Sequence, residues 1–163
     1  MRRADRRRAA PGFTLIELLI SLAILAILAT MVVPVAQTMR QRQQEQTLRH
    51  ALEEIRRALD SYKAAGDAGW IARPAGSSGY PPNLEVLVAG VADLRDPTHR
   101  KLYFLRRIPR DPMQADSALA DAASWGLRSY ASEPDEPSPG ADVYDVYSSA
   151  ARPGLNGVPY NKW

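Results

Sequence analysis

The sequence predicts an α+β protein in which a long N-terminal helix packs on a small C-terminal antiparallel sheet. Three observations carry this. An apolar run fills residues 13–33, a 4-3-4-3 spacing of apolar residues follows at Leu48, Leu52, Ile55, Leu59 and Tyr62, and two β-prone segments at 125–131 and 143–148 flank a proline-rich turn.

From Phe13 to Val33 the only formal charge is Glu17. About 20 apolar residues are what a helix needs to cross roughly 30 Å of hydrocarbon, so the run reads as one membrane-spanning helix. Arg2, Arg3, Arg6, Arg7 and Arg8 precede it. Short basic flanks stay on the cytoplasmic side, which places everything after Pro34 across the membrane. A proline in a helical pattern ends or kinks the helix, and because the residues beyond it still read as helical, Pro34 is expected to mark a kink.

From 37 to 63 the pattern is amphipathic. The apolar stripe lies on one face, while Arg42, Glu45, Arg49, Glu53, Arg56, Arg57, Asp60 and Lys63 occupy the other. Glu45 with Arg49 and Glu53 with Arg57 stand at the i,i+4 spacing of helix ion pairs. Gly66 and Gly69 supply the helix end. A helix from Thr14 to about Ala65 would be roughly 78 Å long, more than a compact domain of this size can bury, so its first half must meet lipid or other copies of itself. The stripe barely fills two heptads, too few for a sustained coiled coil, and is assigned to packing of the helix on the C-terminal domain.

The chain thus divides into a basic leader (1–12), a membrane-spanning half-helix (13–36), an amphipathic half-helix (37–65) and a small α+β domain (66–163). Residues 66–82 read as loop, Asn83 as the cap of a short helix closed by Gly90, and 132–140 as an acidic, proline-rich hairpin tip. The two strands beside that tip would be antiparallel neighbours, marginal without an apolar partner, and the helix stripe is the partner at hand.

Composition narrows the function. The chain has no cysteine, so no disulfide contributes to its stability. The leader carries five arginines and one aspartate, a net +4, so the remainder stands at −1 against +3 for the whole chain. That leaves no overall basic footprint for nucleic acid. Arg106, Arg107 and Arg110, interleaved with Pro109 and Asp111, read as a solvated turn, and Asp111, Asp116 and Asp121 as solvated carboxylates. The sequence holds two histidines, His50 and His99, and neither a metalloprotease His-Glu-x-x-His, a phosphate-binding loop nor a framed nucleophile, so no enzymatic function is expected.

Glu17 is the residue a plain anchor would not need. An acid inside a spanning segment costs about 2.5–3.5 kcal/mol at the centre, less near an end, and calls for a partner. No secretory cleavage site stands beyond the apolar run; the abrupt boundary is Pro11-Gly12 against Phe13-Thr14. With the basic leader, Gly12-Phe13-Thr14-Leu15-Ile16-Glu17-Leu18 resembles the leader of type IV pilins and pseudopilins. That resemblance implies cleavage between Gly12 and Phe13 by a prepilin peptidase, N-methylation of Phe13, and pairing of Glu17 with the freed amine of Phe13 on a neighbouring subunit.

Further along, Tyr80-Pro81 with Leu84 and Leu87, Ile108-Pro109-Arg110-Asp111-Pro112, Trp125-Gly126-Leu127-Arg128-Ser129-Tyr130 and Asp145-Val146-Tyr147-Ser148 are similar to the motif order of major pseudopilins of type II secretion. The resemblance implies a pilin-like fold and a subunit that polymerises into a periplasmic pseudopilus. It also implies an inner-membrane location with the N-terminus cytoplasmic, and as partners other pseudopilins, an inner-membrane platform protein and an assembly ATPase. A type IV pilus subunit or minor pilin would share the leader, and an uncleaved membrane-anchored interaction module would keep residues 1–12. One departure concerns calcium, which the family binds through acidic residues in its last loop. Here no Asp or Glu follows Asp145, so that site is expected to be lost and no cofactor is expected, with Asp142 and Asp145 left as the nearest carboxylates and Trp163 and the loop's prolines and glycines to pin it by packing.

Overall fold

A computed structural model describes residues 12–98 and 100–163. The leader arginines and His99 lie outside the described residues, as does the side chain of Met31. The architecture is α+β: helix α1 (Leu15–Asp67), short helix α2 (Glu85–Ala89), and two small antiparallel sheets, β1 (Val91–Ala92) with β2 (Lys101–Leu102) and β3 (Trp125–Arg128) with β4 (Asp145–Ser148). The chain forms two compact units, dividing after Arg40.

In the first unit α1 is apolar and uncovered. Leu15, Leu22 and Val32 are 77%, 65% and 64% exposed, and the stretch is long and apolar enough to cross a membrane. The helix continues through Pro34, whose carbonyl accepts from Thr38 Oγ1 at 3.0 Å. Its start has a physical cause. Thr14 Oγ1 and the Thr14 carbonyl both accept from the Glu17 amide, at 3.3 and 3.1 Å, satisfying a donor that the first turn would otherwise leave free.

In the second unit α1 ends at Asp67 and is capped by Gly69, whose φ of 72° suits a residue without Cβ. Trp70 N–H donates to the Ala65 carbonyl at 2.9 Å and Gly69 N–H to Gly66 at 3.0 Å, the paired bonds of a Schellman cap. Leu48, Leu52, Ile55 and Leu59 are each no more than 2% exposed and form the core with Leu84, Leu87, Leu105, Met113, Trp125, Val143, Val146 and Tyr160. Tyr62 packs against its edge. Ala51 and Ala58 widen the buried stripe, their small side chains letting the sheet layer approach the helix.

The β3–β4 register pairs Trp125 with Ser148 and Arg128 with Asp145. Both strands are shorter than the β-prone segments that hold them. Beyond Arg128 the backbone turns to other partners, Ser129 N–H to the Ser138 carbonyl and Tyr130 N–H to Asp142 Oδ1, and before Asp145 Val143 N–H donates to the Pro81 carbonyl. Asn83 does cap α2, accepting from Val86 N–H at 3.1 Å, and Gly90 closes it. Strand β1 was not legible: two residues carry no periodicity.

Candidate functional site

At the N-terminal motif, Thr14-Leu15-Ile16-Glu17 has the spacing of a capping box, with Thr14 just before the helix and Glu17 in its first turn. A carboxylate there lies at the positive end of the helix dipole, which stabilises it apart from any partner. This local role is readable in the sequence and complements the pairing expected of Glu17. Gly12 and Phe13 precede the helix, and Phe13 is 75% exposed.

The C-terminal loop is held on α1 by a polar lattice that sequence reasoning missed. Glu45, assigned above to the solvated face, is only 7% exposed. Its Oε1 accepts from Leu155 N–H at 2.8 Å, the Tyr160 hydroxyl at 2.9 Å and Gln41 Nε2 at 3.3 Å. Among the described residues Glu45 makes no ion pair with Arg49; the Arg49 guanidinium instead stacks 4.5 Å from the Trp163 ring. A buried acceptor that can take an amide and a phenol outcompetes an exposed i,i+4 pair, which is worth only a few tenths of a kcal/mol. The Glu53–Arg57 pair, fully on the surface, does form at 2.8 Å. Tyr160, 1% exposed, has its hydroxyl held above the ordinary phenol value, chiefly by burial, with the Glu45 carboxylate adding to the effect and Gln41 opposing it.

Arg56 is the second tie. Its Nε donates to Asp145 Oδ1 at 2.8 Å, and its Nη2 reaches the Val146 and Trp163 carbonyls at 3.3 and 2.9 Å. One guanidinium therefore joins α1, β4 and the last residue. Asp142 is likewise engaged, accepting from Ser78 Oγ and from Tyr130 N–H. The two carboxylates nearest the last loop thus have protein donors. Among the described residues no three His, Asp or Glu side chains converge as a metal-binding group.

The 108–112 turn corrects another expectation. Asp111 is 1% exposed, accepting from Met113 N–H at 2.8 Å and Ser148 Oγ at 2.7 Å, while its own N–H donates to Ser124 Oγ. Arg110 binds the carbonyls of Leu119 and Asp116, and only Arg106 and Arg107 of that cluster remain exposed. The preceding Pro109 carbonyl accepts from Trp125 Nε1 at 2.7 Å. A buried aspartate is tolerable because hydrogen bonds replace its lost hydration, and alternating Pro and charged residues gave no hint of it.

Residues 7–33 match the family described as the prokaryotic N-terminal methylation motif. Over 141 residues the chain is 28% identical to type II secretion system core protein G of Klebsiella michiganensis, covering 84% of this chain and 92% of that protein. The chain is similar to type II secretion system core protein G. Proteins of the same name from Klebsiella pneumoniae, 29% identical over 71% of this chain and 77% of its own length, and from Vibrio cholerae, 29% over 68% and 70%, are similar too. No solved structure matches the chain. The relatives' names describe a component of a secretion system, and none names an enzymatic activity.

Proposed function

We propose that the chain is the structural subunit of a type II secretion pseudopilus, supporting protein export by polymerising through α1. The single observation that carries this is an apolar first half of α1 left uncovered, headed by a methylation motif and bearing one acid in its first turn. Surface of this kind is stable only against lipid or against other such helices. A prepilin peptidase cuts between Gly12 and Phe13 and methylates the new amine. Glu17 then pairs with Phe13 of a neighbouring subunit, and Ser21, Ala23, Ala26 and Ala29 allow close helix packing. Pro34 kinks α1 where it leaves the membrane. The N-terminus is cytoplasmic and the second unit periplasmic; partners are other pseudopilins, the platform protein and the assembly ATPase, with no nucleic acid. The C-terminal loop works without calcium, Arg56 and Glu45 supplying the ties that a cation supplies elsewhere.

Intact-mass measurement of membrane-extracted protein, made with and without a prepilin peptidase, tests this. The expected product lacks residues 1–12 and carries one extra methyl. An unprocessed mass in the presence of active peptidase overturns the proposal and favours an uncleaved anchor.

A further inference from the structure

Two surface features of the second unit are complementary and both unused. One is the loop 132–140, Ser-Glu-Pro-Asp-Glu-Pro-Ser-Pro-Gly, in which Glu133, Asp135 and Glu136 are exposed and, among the described residues, form no ion pair. Pro134, Pro137 and Pro139 each fix one backbone φ in a loop that bends at residues 134–136, which lowers the entropy lost on docking. The other is an open groove of about 610 Å³ lined by Val88, Tyr103, Phe104, Leu105 and Arg106. Tyr103 is 66% exposed, and its ring lies over Gly90, where a Cβ would stand 2.8 Å from Cδ1. Arg106 in its lining and Arg107, next in sequence, are exposed and, among the described residues, without an acidic partner.

Proline-rich segments bind grooves lined by aromatic rings, and an acidic one prefers a basic rim. We propose that loop 132–140 of one copy docks in the Tyr103/Phe104 groove of the next copy, with Glu133, Asp135 and Glu136 facing Arg106 and Arg107. This rests on the filament reading above.

The placement of the two features on α1 fits such a contact. Phe104 packs on Tyr62 with ring centroids 5.3 Å apart. The loop's base is tied one residue along. Tyr130 stacks on Tyr80 at 6.1 Å, Asp142 accepts from Ser78 Oγ, and Lys63 Nζ lies 6.0 Å from the Tyr80 ring. Successive helix residues differ by about 1.5 Å in height and about 100° around the axis. Groove and loop base therefore both lie beside the Tyr62–Lys63 turn of α1. A plug and a socket on different parts of the surface give a head-to-tail contact, the class of contact that open filaments use, rather than a two-fold dimer.

The absence of native cysteine makes the test clean. Full-length chain carrying Asp135→Cys with Arg107→Cys is expressed in cells that supply prepilin peptidase and the assembly machinery, then oxidised mildly. A disulfide ladder of dimers, trimers and higher multimers is expected from the pair, and nothing beyond dimers from either single variant. In parallel, Arg106→Glu with Arg107→Glu should lower sheared-filament yield roughly five- to tenfold, and adding Glu133→Lys, Asp135→Lys and Glu136→Lys should restore at least about half of it. Normal filaments with no ladder and no rescue overturn this contact while leaving the filament reading intact. An intrachain disulfide, or an adduct containing a different polypeptide, overturns it as well. Failure of the unsubstituted chain to form filaments under these conditions overturns the filament reading itself, and this contact with it.

Discussion

Replacing Glu45 with alanine gives the sharpest test of how the C-terminal loop is held. The carboxylate accepts from Leu155 N–H and the Tyr160 hydroxyl, and both lose that acceptor. Leu155 is 46% exposed, so water can take over its amide, but Tyr160 is 1% exposed and its hydroxyl loses its acceptor, since the Gln41 amide presents Nε2, a donor, to the same oxygen. An orphaned buried donor costs about 1–3 kcal/mol, and with the lost amide bond Glu45→Ala should cost about 2–4 kcal/mol. Tyr160→Phe removes one hydrogen bond and orphans nothing, for about 0.5–1.5 kcal/mol. The double variant should then cost about 0.5–3 kcal/mol less than the sum of the two, because the phenylalanine has no hydroxyl left to strand. Urea unfolding of the full chain in mild detergent, followed by the fluorescence of Trp70, Trp125 and Trp163, reads these values. The Glu45→Ala midpoint should fall by about 1–2 M. Strict additivity, or a Glu45→Ala effect no larger than that of Tyr160→Phe, would refute the reasoning.

Asp93 provides a pH prediction. The Arg95 side chain and amide donate to it and hold its carboxyl at about 2, below the ordinary 3.8. A depressed carboxyl contributes stability that is present above its unfolded value and is lost as the pH falls from about 3.8 through about 2, so Asp93→Asn should flatten the acid-unfolding profile in that window; an unchanged profile counts against it. Glu17→Ala should leave membrane insertion intact yet cut filament yield more than tenfold, since truncating one member of a buried charge pair costs about 2–5 kcal/mol, and undiminished filaments would remove the pairing role. Excess calcium should leave the thermal midpoint where EGTA leaves it; a rise of several degrees would restore a cation site to the last loop.

How far the sequence reaches is clearest along α1. The 4-3-4-3 spacing puts Leu48, Leu52, Ile55 and Leu59 on one face whatever they pack against, because 3.6 residues per turn is a local property of the backbone. The unbroken apolar run, Asn83 before α2 and the two strands around a proline-rich tip are legible for the same reason: each rule acts within a few residues. Only the tertiary structure decided which polar residues leave the surface. Glu45 and Arg49 have the spacing of a surface pair, yet one is buried under Tyr160 and the other stacks on Trp163, because partners from more than 100 residues away compete for them. Asp111 and Arg56 follow the same logic. A buried carboxylate or guanidinium is fixed by the donors and acceptors that folding brings to it, and separation along the chain says nothing about which ones arrive.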